Sequence, residues 1–381
     1  MAYEIQGRIS VKILFGTQEF PFDARNTLEF LHMTSCTRIG VPMVHLSVID
    51  VVRFFDSSAA LSDGLPITVV LTVPSDETER DSRVYNFRMN SFKKEQTPGG
   101  YRYQLDGYIN APEYWHSSTF RSIQGTATAT LKKIAESCGL KFEGVSTADR
   151  QVWMPRNQYH HLWARQIASR AYRSDTSCMQ LGVDLTGTMI FKDINEGSDK
   201  PTADVALAVS KQGFLLATDF CPQTFSGSLN HLSGYSSIRV EQDPRQSNVH
   251  NSHRSISVTK RAKEGSLLLN RDLHSKTQQA RVKFGPINPG NVHPNYEKAY
   301  YQNLRFSNLF SSGLEILLAE PSRVKLLDNV NVQLDSPDSF TATYSGVYRT
   351  VSRTIYVQGS TYYEKLGLAR RSLNAPLSNS F

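Results

Sequence analysis

Long apolar runs are missing. Nowhere does the sequence carry the ~18 uncharged apolar residues needed to cross a bilayer, and its opening, MAYEIQGRISVKILFG, has no extended secretory h-region. The chain is therefore expected to stay in the compartment that makes it. Cysteine is scarce as well. Cys36, Cys138, Cys178 and Cys221 lie far apart with no CxxC spacing, so neither a zinc ribbon nor a disulfide scaffold is supported, and four reduced thiols are expected in or near the core. Catalytic signatures are absent too: there is no lysozyme-like Glu-x8-Asp-x5-Thr spacing, GxSxG elbow, Gly-rich phosphate loop or HExxH face.

What is present is a folded composition. Hydrophobic residues make up 39% and charged residues 20% of the 381 positions, which is too apolar for disorder. At ~150 residues per domain the length suggests two or three domains. The net charge of +7 is unevenly placed: between Arg239 and Arg305 there are twelve Lys/Arg against five Asp/Glu, a surplus equal to that of the whole chain.

The opening third alternates in strand fashion. RISVKILFG puts Ile9, Val11, Ile13 and Phe15 on one side; β-branched runs at 41–55 and 65–73, then VYNFRMNSF and YRYQLDGYI, are separated by turn signals, so residues 1–112 read as a small antiparallel barrel or sandwich. Residues 113–199 change character. TATATLKKIAESCGLKF has Leu131, Ile134, Ala135 and Cys138 on one helical face, a threonine cap and Gly139 at its end. A second helix follows in RNQYHHLWARQIASRAY, with Asn157 as its expected cap, and QLGVDLTGTMIFKDI reads as a hairpin.

Strand patterns return at 200–238 and 306–370 and read as a second β-barrel, which encloses a basic polar insertion at 239–305; a polar C-terminal tail fills 371–381. The fold class is thus mixed but mainly β, with two small antiparallel barrels, an intervening α/β domain and a polar insertion. The two β regions look alike: Leu65-Pro66-Ile67-Thr68-Val69 compares with Val330-Asn331-Val332-Gln333-Leu334, and each leads to a Tyr-rich strand pair.

The order of particular stretches carries a resemblance. YQLDGYINAPEYW followed by RSIQGTATATLKKIAESCGL, DRQVWMPRNQYHHLWARQIASRAY with its G-V-D-x-x-G-x-M-I-F hairpin, and the late Leu-Asp-Asn-Val, Tyr344-Ser345-Gly346-Val347-Tyr348 and L-G-L-A-R-R segments resemble the baseplate hub proteins of contractile bacteriophage tails. The resemblance covers most of the chain outside about 243–303, and it extends to the N-terminal hub of type VI secretion spike proteins. It implies a structural, non-enzymatic protein of the virion tail baseplate, assembled in the host cytoplasm. It also implies a homotrimer whose two barrels per subunit form a six-unit ring with an axial channel, adapting the six-fold tail tube to a three-fold central spike. Partners implied are the tail tube protein, a spike expected as a separate polypeptide, and tape measure and baseplate wedge proteins. Two other readings stand beside it, a tail-tip hub of a non-contractile tail and a tail-associated cell-wall hydrolase.

Residues with the makings of a chemical site are few. His250 and His253 are spaced i, i+3 without matching carboxylates or thiols, so no metal and no cofactor is expected. Glu113, Glu136 and Glu143 qualify for glycoside hydrolysis only by being acidic. Arg254, Lys260, Arg261, Lys263 and Arg271 form the sharpest candidate site. They read first as a basic docking surface for a partner protein, ahead of a merely solvated face or contact with DNA, and no element for specific nucleic-acid readout is evident. Trp115, Trp153 and Trp163 read as packing residues in or beside the α/β unit.

Overall fold

Side chains alternate between core and solvent along the opening strands, as a period of two requires. The computed structural model describes residues 3–5, 9–23, 26–73, 81–119, 121–155, 157–174, 177–194, 201–207, 214–224, 237–242, 254–257, 279–284, 312–334, 344–359 and 361–370. The first region comprises β1 (Tyr3–Ile5), β2 (Ile9–Phe15), β3 (Gln18–Glu19), β4 (Thr27–Cys36), β5 (Met43–Asp50), the helical turn α1 (Phe54–Ser57), β6 (Pro66–Val73), β7 (Asp81–Thr97) and β8 (Gly100–Ile109). Ile9, Val11, Ile13 and Phe15 of β2 all face the core, beside Phe20, Phe54, Phe55 and Tyr103. The run at 41–55 does not continue as one strand. Asp50, fully buried, accepts hydrogen bonds from the Phe54 and Phe55 amides (2.9 and 3.2 Å), which turns the chain into α1.

The α/β unit follows as α2 (Pro112–Trp115), β9 (Ile123–Gly125), α3 (Ala127–Ser137), β10 (Lys141–Gly144), β11 (Gln151–Trp153), α4 (His160–Arg170), β12 (Met179–Val183) and β13 (Thr188–Asp193). Thr126 caps α3 by accepting from the Ala129 amide (3.2 Å), and Gly139 ends the helix at φ +74°. Asn157 does not cap α4. Tyr159 occupies that position, while Asn157 adopts φ +49° and its Oδ1 accepts from the Ser118 hydroxyl. The buried Asp149 carboxylate accepts from the Ala127 and Tyr172 amides (2.9 and 2.7 Å), tying the start of α3 to the chain leaving α4. Trp163 and Trp153 lie in the core of this unit.

The remaining strands are β14 (Ala203–Leu207), β15 (Leu215–Thr224), β16 (Ser237–Gln242), β17 (Arg254–Ser257), β18 (Gln279–Phe284), β19 (Ser312–Leu318), β20 (Asn329–Gln333), β21 (Gly346–Gln358) and β22 (Thr361–Arg370). Six of them close a barrel in the order β14-β15-β19-β22-β21-β20. It is antiparallel except at β14, which runs parallel to both β15 and β20. β16 is not part of the barrel and pairs with β17 and β18 in a separate sheet. Among the described residues no ladder joins β2 to β4, so the first region is an open sheet that runs from β1 and β3 through β2-β6-β7-β8-β5 to β4.

Candidate assembly interface

The two β regions are copies of one pattern. Neighbours run β6-β7-β8-β5-β4 in the first and β20-β21-β22-β19-β15 in the second, antiparallel throughout, with strands in the same chain order. Registers agree as well. The β7–β8 hairpin passes from Thr97 to Gly100 and the β21–β22 hairpin from Gln358 to Thr361, and each shifts register once, at Asn90 and at Val351. One offset of 261 residues (358 − 97 and 351 − 90) maps strand end and bulge together. A second pair of bulges also coincides, at Glu29 between β4 and β5 and at Thr218 between β15 and β19. A bulge is one inserted residue that bends a strand, so two matching bulges fix the correspondence residue by residue. Only the first strand differs: β2 is antiparallel to β6, whereas β14 is parallel to β20.

The copies are joined edge to edge. Along one edge of β21, residues Gly346–Arg349 pair with β20, and the rest pair with β4, from Ser352 opposite Cys36 to Gln358 opposite Phe30. Inward-facing Ile355 and Val357 thereby enter the core of the first region and fill its open side. On the other face Asp106, His45, His32, Tyr356 and Tyr363 stand opposite one another across β8-β5-β4-β21-β22. His45 Nδ1 meets the Asp106 carboxylate, His32 packs edge-on to Tyr356 (4.6 Å between centroids), and Tyr356 stacks on Tyr363 (4.7 Å). Thr34 and Thr354 share a hydroxyl hydrogen bond of 2.6 Å.

Behind this ladder lies a buried ion pair. Arg353 Nε donates to Glu364 (2.7 Å), which also accepts from the Ser322 amide (2.8 Å) and hydroxyl and from the Tyr362 hydroxyl. Arg353 and Arg83 of β7 both donate to the Ser322 carbonyl. Burial opposes the Arg353 charge, yet Glu364 together with Tyr85 and Tyr362 raises the guanidinium pKa.

His32 responds the other way. Burial, helped by the charge of His45, pushes its pKa below the ordinary imidazole value. A base with a depressed folded pKa contributes stability above its unfolded pKa of ~6.5, and that contribution is lost as pH falls through the folded value. Thermal unfolding is therefore expected to show a loss of stability below about pH 6.5, and His32→Gln to flatten that limb.

Of the residues singled out from sequence, Arg254 opens β17 opposite Val240, while Lys260, Arg261, Lys263 and Arg271 lie outside the described residues, as do His250 and His253. Glu113, Glu136 and Glu143 are exposed; Lys132 pairs with Glu136 (3.8 Å), and Lys192 and Lys325 pair with Glu143 (3.5 and 3.6 Å). His160 Nδ1 meets the Glu113 carbonyl at 2.8 Å at the start of α4. Among the described residues no three His, Cys, Asp or Glu side chains are grouped to hold a metal. Three cysteines are buried or half-buried as expected, but Cys221 is exposed on β15, where the alternation turns it outward. Tyr356 and Tyr363 read from sequence as residues of a pleated barrel surface, but their row with His32 and His45 escaped that reading, because only register makes it.

No family model and no curated protein matches the sequence. Solved structures do. A prophage 43 kDa tail protein from Shewanella oneidensis aligns with a TM-score of 0.61 at 9% identity, over 95% of this chain and 98% of that one. A tail protein from Neisseria meningitidis gives 0.57 at 12% identity, over 95% and 96%. The fold is that of phage tail proteins. The tail-protein fold also aligns with a chain of the Francisella PdpA–VgrG complex (0.52, 11% identity, 99% of this chain and 60% of that one). The resemblance drawn from the order of sequence segments therefore holds at the level of fold.

Proposed function

We propose that the chain is the structural hub of a phage tail baseplate, assembled in the host cytoplasm and built into the virion tail. It works as a homotrimer in which two β units per subunit make a ring of six. One rim of that ring receives the six-fold tail tube, the other a three-fold central spike, and an axial channel remains between them. The observation that carries this reading is the duplication: a chain holding the same five-strand pattern twice, in matched register, offers two equivalent places where a six-fold partner needs six. Residues 1–112 and 113–199 act as the first β unit and a supporting α/β unit. The chain is read as non-catalytic: Glu113, Glu136 and Glu143 stand on exposed surfaces, and Glu136 and Glu143 pair with lysines. Light scattering and peptidoglycan zymography test the proposal together: a mass three times that of the chain and no clearing are expected, and a monomer or a clearing zone would overturn it.

The basic stretch has a place in this scheme. Residues 225–311 stand between β15 and β19, where the first unit has only the turn 37–42 between β4 and β5. We read Arg254, Lys260, Arg261, Lys263 and Arg271 there as docking groups for another virion component, such as a tape measure or wedge protein. Charge attraction of this kind fades beyond ~8 Å at physiological salt, so docking should weaken as salt rises. Combined Lys260→Glu, Arg261→Glu and Lys263→Glu are expected to lower the association rate with a tail component at least tenfold and to abolish its salt dependence. Unchanged pull-down of every component would refute the assignment.

A further inference from the structure

The junction between the two β units inside one chain has free counterparts at both of its ends. On β7 the edge that pairs with β6 is used only from Asp81 to Arg88; from Ser91 to Thr97 it has no strand partner among the described residues. The equivalent part of β21, offset by 261 residues, is the part that pairs with β4. On β15 the edge that pairs with β14 is used only from Leu215 to Ala217; from Asp219 onward it too has no strand partner among the described residues. The matching bulges at Glu29 and Thr218 set this segment 189 residues (218 − 29) beyond the part of β4 that receives β21. Each chain thus carries one made junction and both halves of a second, facing opposite ways.

We propose that β7 of one subunit pairs antiparallel with β15 of the next, in the register of the internal β21–β4 junction. The proposal rests on the trimeric reading above and specifies its subunit interface. Carrying the register across places Lys93 opposite Gln223, Lys94 opposite Pro222, Glu95 opposite Cys221, Gln96 opposite Phe220 and Thr97 opposite Asp219. A second copy is the occupant the structure favours, because the same strand pattern already makes this contact within the chain, and head-to-tail contacts between copies close rings. Exposure agrees. β7 alternates between core and solvent up to Met89, after which Asn90 to Lys94 are all exposed, including Phe92 at 47%. A long strand with a free edge and an exposed aromatic is a pairing site unless something covers it.

The residues also differ from the internal junction where they should. Ile355 and Val357 of β21 enter an open sheet and supply missing core. Their counterparts Lys94 and Gln96 would meet a barrel already closed by β14, which needs no filling. Lys94 already has local partners, the Asp56 carboxylate (3.3 Å) and the Tyr101 ring (4.2 Å). Pro222 lacks an N–H and costs the new ladder one hydrogen bond, a loss tolerated at an edge strand.

The native Cys221 makes the register testable in the full-length chain. Directly opposed residues of antiparallel strands lie ~4.5–5.5 Å apart at Cα, within the ~4.4–6.8 Å span of a disulfide. Glu95→Cys treated with diamide is expected to give covalent dimers and trimers on non-reducing gels, and Glu95→Cys/Cys221→Ser to give none. Lys93→Cys/Gln223→Cys in the Cys221→Ser background should link equally. A trimeric mass with neither pair linking would overturn the register while leaving the trimer standing; a monomeric mass would overturn both. Linking confined to single chains would show instead that the two edges meet within one subunit, and would also overturn the proposal.

Discussion

Glu364→Ala is expected to destabilise the protein by about 3–5 kcal/mol, the largest effect of any single substitution at the junction, because it leaves the Arg353 charge buried without its counterion. Glu364 is fully buried and Arg353 nearly so. The damage reaches further than the pair: the Ser322 amide and hydroxyl lose their acceptor, and the loop that Arg83 holds from β7 loosens with them. Replacing both partners, as Arg353→Met/Glu364→Leu, removes the charges together and is expected to recover most of that loss. Chemical denaturation of the three variants decides the point. If the double variant proved no more stable than the single one, the pair would be holding the junction by direction and not merely by neutralising charge.

Trp163→Ala is expected to cost a comparable 3–5 kcal/mol, but in a different place. The indole is 2% exposed in a cluster drawn almost wholly from residues 109–191, including Leu131, Ile134, Ile167 and Phe191. The α/β unit meets the β units through Val41, Leu185 and a small cluster in which Cys178, Ile190 and Ile194 pack with Leu326, Leu327 and Ala369. Amide hydrogen exchange should therefore show lost protection in α3, α4, β12 and β13 while β21 and β22 keep theirs. Protection lost evenly across the chain would mean that the α/β unit does not fold as a unit of its own.

Where burial follows a local period, the sequence was a good guide. Ile9 to Phe15 alternate as read, and Thr126 and Gly139 bound α3 because capping chemistry is local. Asn157 misled for the opposite reason: its side chain serves Ser118, a residue distant in sequence, so the helix starts later without it. The direction of β14 and the departure of β16 to another sheet are decisions of strand pairing, to which alternation is blind. The repeat shows this most clearly. Sequence comparison set Leu65 against Val330, but pairing with the equivalent hairpins sets Ile67 against Val330 and Pro66 against Asn329. A slip of two residues keeps every side chain on its own face, so hydrophobic pattern cannot detect it. Only the bulges, invisible in composition, remove the ambiguity.

The reversal of one strand gives the duplicated chain two addresses. A ligand reading only the backbone of β4 to β8 or their counterparts meets the same strand pattern twice per chain. One that touches β2 or β14 meets strands running in opposite directions, with donors and acceptors presented in reversed order, and can tell the halves apart. A single polypeptide thus repeats one strand pattern and yet marks its two halves apart by the direction of one strand.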